Sequence, residues 1–177
     1  MIRIFDFFFS LLGLFFSLPL LISIWIIGLL DNKDPLFMQK RIGRYKKPFI
    51  LLKFRTMPLN TKSAATHLIK DTKLTFFGRF LRKTKLDEIP QLWNVLLGDM
   101  SLVGPRPCLI NQKRLINERQ KRGVFSTKPG ITGLAQISQV NMKTPKLLAK
   151  TDLKMIRQMN LKYYFYYIFK TILLAFK

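Results

Sequence analysis

Residues Phe7 to Leu30 carry no charged side chain, a run of 24 positions. Coiled as a helix it reaches roughly 36 Å, enough to cross the hydrocarbon core of a bilayer. Pro19 falls near the middle. A proline there donates no hydrogen bond to the carbonyl of Phe15, and its ring crowds the preceding turn, so a kink is expected. Ser17 is placed to satisfy a freed carbonyl with its hydroxyl. Two membrane arrangements fit: a simple span, and a kinked hydrophobic hairpin that enters one leaflet and returns to the same face. Arg3 is the only basic residue before the run and 30 follow it. The positive-inside rule therefore places the main body in the cytoplasm either way, and only the side of Met1 differs. A cleavable signal peptide fits poorly, because the run is long for one and no small-residue cleavage site precedes Asp31-Asn32-Lys33-Asp34.

Beyond Asp31 the pattern changes to short apolar runs punctuated by turn residues. Phe37–Met38 and Phe49–Phe54 read as short strands flanking Gly43 and the Tyr45-Lys46-Lys47-Pro48 turn, a small β-hairpin. Asn60 to Lys73 is polar and irregular, a loop or a mobile cover. Leu74 to Lys83 sets Phe76, Phe77, Phe80 and Leu81 at helical spacing opposite Arg79, Arg82 and Lys83. Such a basic amphipathic helix suits a membrane interface, or a core with one solvated face. Leu92 to Leu97 reads as helix, with Gly98 as its stop. Further helices are expected from about Leu109 to Arg122, ended by Gly123, and from Pro145 to Met159; Pro129-Gly130 marks a tight turn. Leu161 to Phe176 holds four tyrosines and many aliphatics. It is short for a span, which leaves the headgroup layer or the domain core. The expected fold is mainly α (α+β). An N-terminal membrane segment over residues 1–32, a re-entrant helix-hairpin or a span, precedes a compact domain over 33–177 with interfacial amphipathic helices and one β-hairpin.

Charge narrows the partners. The chain has 177 residues, 31 basic against 9 acidic, and a formal net charge of +22. An anionic partner follows: nucleic acid, a phospholipid surface or a phosphorylated substrate. One cysteine, Cys108, excludes an intrachain disulfide, and one histidine, His67, leaves no His/Cys cluster for zinc. No helix-turn-helix or RNA-binding signature accompanies the basic residues, which are spread through the chain, so nucleic acid is not the expected partner. Seven of them fall between Lys40 and Arg55; most suit a solvated hairpin at an anionic membrane. Lys53 and Arg55, set in an apolar segment, are better candidates for specific contacts.

The scarce acids pair at Asp87-Glu88, within T-K-L-D-E-I-P-Q-L-W-N-V-L-L-G-D-M-S-L-V-G-P-R-P over 84–107. Arg79, Arg82, Lys83 and Lys85 precede the pair, and Arg106 follows between two prolines. Asp87 stands at or near the start of the helix ending at Gly98, where Pro90 is tolerated and an anion is favoured by exposed N–H groups. A helix cap is the plain alternative for Asp87.

These motifs resemble the small monotopic phosphoglycosyl transferases, the bacterial sugar transferase family. The resemblance runs through R-I-F-D at the N-terminus, Q-K-R-I-G at 39–43, K-F-R-T-M at 53–57, the block 77–107 and K-P-G-I-T-G-L-A-Q at 128–136. It implies a minimal catalytic unit on the cytoplasmic face of the bacterial inner membrane. It also implies a re-entrant membrane helix broken near a Ser-Pro pair; here Ser17 and Pro19 are separated by Leu18. The implied reaction moves a sugar-1-phosphate from a UDP-sugar, expected to be N-acetylated, to undecaprenyl phosphate with release of UMP. The implied route is ping-pong, with Asp87 as nucleophile and metal ligand and Glu88 as its neighbour. Mg²⁺ would neutralise the diphosphate that a carboxylate must attack, and it needs only one or two protein carboxylates. Lys53, Arg82 and Arg106 are the implied phosphate-binding residues. The segment after Gly133 departs from the commoner W-A-Q-V-N-G, with Leu134 for the tryptophan and Ser138-Gln139 after Ile137, differences that bear on sugar choice.

Overall fold

A computed structural model describes residues 1–59, 61 and 74–175. The stretch expected to be a loop or cover, and His67 with it, lies outside the described residues apart from Thr61. The architecture is mainly helical with a small sheet.

Helix α1 (Ile2–Asn32) is one helix of 31 residues, with Pro19 inside it. The expected division at Pro19 does not appear as a break between two helices. A proline removes one backbone hydrogen bond, and the intact turns on either side carry the helix past it. Ser17 donates to the carbonyl of Leu14 at 3.4 Å, not to the Phe15 carbonyl that Pro19 leaves free. Long and apolar enough to cross a membrane by length and composition, α1 turns a face to the rest of the chain at Asp6, Ser10, Ile24, Gly28 and Asn32. That spacing is one helical stripe. Both ends are fastened. Near the start, Asp6 accepts hydrogen bonds from Ser101 Oγ at 3.0 Å, the Leu102 N–H at 2.9 Å and the Tyr164 hydroxyl at 2.9 Å. Arg3 donates to the carbonyls of Val95 and Leu96. Towards the end, Ile24 packs with Phe54 and Leu81, and Gly28 lies so close to Pro35 that an added Cβ would meet its Cβ at 2.7 Å.

Strands β1 (Leu36–Ile42) and β2 (Pro48–Phe54) form the expected hairpin, longer on the first side than the apolar run suggested. β4 (Cys108–Leu109) adds antiparallel to β1, giving the order β2-β1-β4. In the register, Phe37 faces Lys53, Gln39 faces Leu51 and Arg41 faces Phe49. Side chains at directly opposed positions share a face, so Arg41 and Lys53 emerge on the same side of the sheet.

Helix α2 (Phe76–Thr84) starts at Thr75, whose hydroxyl accepts from the Gly78 N–H at 2.8 Å. Helix α3 (Gln91–Leu97) ends as read from the sequence, with Gly98 left-handed at φ 94°. Asn94 bolts α3 to the edge of β2: its side chain accepts from the Leu52 N–H at 3.0 Å and donates to the Ile50 carbonyl at 2.7 Å. An amide buried this deeply leaves polar groups unpaired when removed, at about 1–3 kcal/mol. Val95 and Met100 pack beside it on Phe49 and Leu51.

A second, two-stranded sheet pairs β3 (Ser101–Val103) in parallel with β5 (Gly130–Thr132). The turn expected at Pro129-Gly130 is the start of this strand. Gly130 sits against Gly104, where an added Cβ would come within 2.0 Å of the Gly104 nitrogen. The segment expected to be helical from Leu109 begins later, as α4 (Lys113–Lys121), because Leu109 is taken into the sheet. Short α5 (Leu134–Ile137), α6 (Pro145–Gln158) and α7 (Leu161–Ala175) complete the domain. α7 packs into the core on one side: Tyr164 and Tyr167 are buried with Val103 and Met155, while Tyr166, Phe169 and Ile172 stay exposed.

Candidate active site

Asp87 and Glu88 lie in a 3₁₀ turn, Leu86–Glu88, between α2 and α3. Lys85 before it is left-handed, at φ 59°, and swings the chain from one helix into the turn. Asp87 does not cap α3: the N-cap position is Pro90 and no side chain caps the helix. Asp87 is 6% exposed, and among the described residues no hydrogen bond or ion pair reaches its carboxylate. Burial, then the charge of Glu88, pushes its pKa up to about 6, against the pull of Lys53, Arg82 and Arg106. Glu88 has a different fate. It is paired with Arg106 by hydrogen bond and charge. Burial alone would raise it, but Arg106 holds its carboxyl below the usual range.

Lys53 reaches the turn from β2, with its ammonium 5.1 Å from the centre of the Phe37 ring. Burial brings its pKa down to about 8, with Asp87 opposing the shift. Arg82 comes from α2, its Nε donating to Thr56 Oγ1 at 3.0 Å. Thr56 also accepts the Thr75 N–H on its carbonyl at 3.2 Å. Gly78 permits the approach, since a Cβ there would stand 2.1 Å from the Thr56 oxygen. Arg106 is presented by the Gly104-Pro105-Arg106-Pro107 loop, which rests on Gly130. Its own carbonyl accepts from Arg119 Nη1 at 2.8 Å. Arg119 is held in turn by Asp152, at 2.9 Å from Nε, in an ion pair buried on both sides.

All five residues singled out for chemistry thus converge: Asp87 feels the charges of Glu88, Lys53, Arg82 and Arg106, and Lys53 those of Asp87, Arg82 and Glu88. Arg55 does not join them. It is paired with Asp34 and donates to the Asp34 carbonyl at 2.7 Å, fastening the turn between α1 and β1. Ser17 and Pro19 lie on α1, outside this cluster.

Arg41 is a site residue that sequence reasoning counted among the solvated cations. It is 5% exposed, donates from Nη1 to the Pro107 carbonyl at 3.2 Å, and bonds Gln39 Oε1 at 2.6 Å. Burial, then Arg106, brings its pKa down to about 10. The signal was present: Arg41 stands two and four residues after Gln39 and Phe37, on the strand face that carries the apolar partners. Beside it an open cavity of about 320 Å³ is lined by Arg41, Lys85 and Arg106 at one end and by Gln136, Gln139 and Asn141 elsewhere.

No group of three His, Cys, Asp or Glu capable of holding a metal occurs among the described residues. One unengaged carboxylate, ringed by cations, is a donor set for an ion that takes its other ligands from substrate oxygens and water.

The model for the bacterial sugar transferase family matches residues 1–177. This chain belongs to the bacterial sugar transferase family. Among similar members, the uncharacterized sugar transferase EpsL of Bacillus subtilis is 46% identical over 125 residues, 71% of this chain and 61% of that protein. The undecaprenyl-phosphate galactose phosphotransferase of Salmonella typhimurium is 38% identical over 159 residues, 78% of this chain and 33% of its own length. The UDP-glucose:undecaprenyl-phosphate glucose-1-phosphate transferase of Xanthomonas campestris pv. campestris is 38% identical over 146 residues, 78% of this chain and 29% of its own. The match therefore spans about three fifths of the first relative and a third or less of the other two. In this bacterial sugar transferase, the residues that converge come from β2, α2, the Leu86–Glu88 turn and the Gly-Pro-Arg-Pro loop.

Proposed function

We propose that the protein transfers a sugar-1-phosphate from a UDP-sugar, N-acetylated by preference, to undecaprenyl phosphate, releasing UMP in bacterial surface-glycan assembly. The observation that carries this reading is the buried Asp87 carboxylate, without a hydrogen-bond or ion-pair partner among the described residues, beside Glu88–Arg106 and with Lys53 and Arg82 around it. Family membership and the activities named for the Salmonella and Xanthomonas relatives support the same class of donor and acceptor.

An Asp87 oxygen attacks the β-phosphorus of the donor. A P–O bond forms, the β-phosphorus–bridging-oxygen bond breaks, and UMP departs with the bridging oxygen. An oxygen of the polyprenyl phosphate then attacks the phosphorus of the acyl phosphate. The bond to Asp87 breaks, and the carboxylate is regenerated. Splitting the transfer this way keeps fewer anions in the site at once and lets a soluble donor and a membrane-borne acceptor use it in turn. Arg106, fixed by Glu88 and flanked by prolines, is a preorganised fork for phosphate oxygens. Lys53 and Arg82 offset the charge that develops on the transferred group. Mg²⁺ held by Asp87 would supply charge neutralisation and in-line alignment of the diphosphate.

The same reading sets the protein at the cytoplasmic face of the inner membrane, residues 1–32 as the membrane segment and 33–177 as the catalytic domain. Both ends of α1 are held to one body, while no residue between Ser10 and Ile24 is buried; Phe15 is 68% and Phe16 76% exposed. A re-entrant arrangement, with the turns around Pro19 deepest in one leaflet, meets both observations.

The test is mass spectrometry of protein incubated with UDP-sugars and no acceptor, beside UMP release with polyprenyl phosphate present. A phosphosugar adduct on the peptide holding Asp87, absent from Asp87→Asn and dependent on divalent cation, is the expected result. Turnover that needs both substrates before any UMP appears would reduce Asp87 to a metal ligand.

A further inference from the structure

A second open cavity, of about 260 Å³, lies beside the first turn of α1, and none of the five residues grouped at Asp87 lines it. Arg3 from α1, Arg44 from the turn between β1 and β2, and Lys128 ahead of β5 bring three cations to its wall. Asp6 is there too, but it is buried and already accepts from Ser101, Leu102 and Tyr164. Arg3 directs its donors to the Val95 and Leu96 carbonyls, and the C-terminal end of α3 favours such a cation. That does not account for the other two. Arg44 is tied by Nε to the Ser126 carbonyl at 2.7 Å, and its terminal nitrogens have no hydrogen-bond partner among the described residues. Lys128 is half-buried and has neither a hydrogen-bond nor an ion-pair partner among the described residues. Its ammonium neighbours the Arg3 guanidinium: a Cβ placed on Gly98 would stand 3.4 Å from one and 3.1 Å from the other. Burial, then Arg3, lowers the Lys128 pKa, and Arg44 adds to the shift against Asp6 and Asp99. Water can hydrate these donors without cancelling the repulsion among them, whereas an anion does both. The opposite wall is apolar, with Ile2, Met155, Ile156 and Met159. Beyond it α7 packs on the start of α1 through Phe5, Phe9 and Phe165, of which Phe9 and Phe165 stay exposed.

We propose that this cavity holds the headgroup phosphate of an acidic phospholipid, with Lys128 and Arg44 on the phosphate oxygens and the acyl chains leaving along α1 and α7. The proposal rests on the placement of α1 in the membrane and not on the transfer chemistry. A cationic wall facing an apolar one, at the first turn of the membrane segment, suits an amphiphile with an anionic head. A free phosphate would meet the same cations and leave the apolar wall without a partner. The site is also narrower than the general attraction of a basic chain to an anionic surface, because it gives the lipid preference to two side chains out of 31 basic ones.

The experiment titrates the full chain in detergent micelles with phosphatidylglycerol or phosphatidylcholine and reads the lipid-bound fraction by native mass spectrometry. Wild-type protein is expected to hold phosphatidylglycerol roughly tenfold more tightly or better. Lys128→Gln and Arg44→Gln should each weaken phosphatidylglycerol about fivefold, the scale of one basic side chain at an anionic headgroup, and leave phosphatidylcholine unchanged. Together they should erase the preference, and Lys128→Arg should keep it. Lys128→Gln removes no bond of the fold, so its melting temperature should match the wild type. Lys113→Gln, which removes an exposed charge away from the cavity, should change nothing. Equal affinity of the wild type for the two lipids, or an unchanged preference in the double variant, overturns the assignment. A loss in Lys113→Gln as large as in Lys128→Gln does so too, and leaves only diffuse attraction. Displacement of phosphatidylglycerol by equimolar inorganic phosphate would give the cavity to a free anion. Recovery of the chain in the aqueous phase after flotation with vesicles would overturn the membrane placement of α1, and this assignment with it. None of these readouts depends on UMP release, so failure of the transferase reading is seen separately.

Discussion

Asp87 and Glu88 are neighbours in sequence with opposite roles, and burial with different partners is the cause. Glu88 is neutralised by Arg106, whereas Asp87 is left to titrate. Without bound metal, Asp87 ionises through about pH 6, and Lys53 keeps its ammonium below about pH 8. In the metal-free protein Asp87 should therefore titrate through about 6 by NMR, and the plot of kcat/KM against pH should fall beyond about 8 as Lys53 loses its proton. A profile that stays flat from about pH 7 to 9 would remove Lys53 from the chemistry. The same shift is a stability statement. With its folded pKa raised from 3.8 to about 6, the stability Asp87 contributes is full below its unfolded value and lost as pH rises through about 6. At pH 8 and without divalent cation, Asp87→Asn should thus be inactive yet more stable, by up to about 3 kcal/mol. A lower melting temperature for that variant would show that the carboxylate has a structural partner. Arg106→Ala should cost roughly 2–4 kcal/mol in transition-state stabilisation, read as kcat/KM. Arg106→Lys should recover only part, since the fork is lost; unchanged kinetics in the alanine variant would leave the two prolines as mere turn-formers. These residues were legible because scarce acids beside crowded bases stand out in a chain of net charge +22. Arg41, Arg119 and Asp152 were not. Their partners lie 66 and 33 positions away, and a lone cation in a basic segment looks solvated until its strand face is known.

At the scale of elements, periodicity and punctuation carried most of the reading. The hairpin, α2, α6 and the end of α3 at Gly98 follow from apolar spacing and from glycine's tolerance of positive φ. What the pattern could not reveal is the parallel pair β3–β5. Three-residue strands have too few positions to show alternation, and parallel partners 29 residues apart leave no turn signal between them. The clue lay in two glycines, Gly104 and Gly130, which read as loop residues but serve as a contact. Gly130→Ala would place a Cβ 2.0 Å from the Gly104 nitrogen. Neither backbone can yield without parting β3 from β5. The expected outcome is a loss of about 1–3 kcal/mol, the scale of an overpacked core, with the Gly-Pro-Arg-Pro loop displaced and kcat/KM falling further than stability alone explains. Gly123→Ala is the control: Gly123 has open space around it and φ 67°, so backbone strain is its main cost. Equal losses of activity in the two variants would show that β3–β5 does not position Arg106.

At the scale of the whole molecule, the decisive question is how one helix can be apolar enough to span a bilayer and yet be held at both ends by the same body. A straight span would carry one end to the far side, and its anchors would have to break. Three hydrogen bonds on Asp6 and the Arg3 contacts oppose that at the start of α1; Ile24 and Gly28 oppose it at the other end. Pro19 weakens the ladder between them, so bending costs less than tearing either end free. The proposed re-entrant state would therefore be supported by an anchor and a weak point, each backing the other. A cysteine appended ahead of Met1 reports the side directly, because the chain's own Cys108 is buried. In right-side-out vesicles an impermeant maleimide should leave it unlabelled, and in inverted vesicles it should react. Pro19→Ala alone should change little while Asp6 holds. Asp6→Leu combined with Pro19→Ala removes the anchor and strengthens the rod at once, and a fraction of the chains should then label from outside. External labelling of the wild type would make α1 a simple span and detach Asp6 from any role in topology. If the double variant stays wholly internal, the second half of α1 and the charge of the body suffice to hold the helix, and the bonds on Asp6 serve only the packing of Tyr164 and β3.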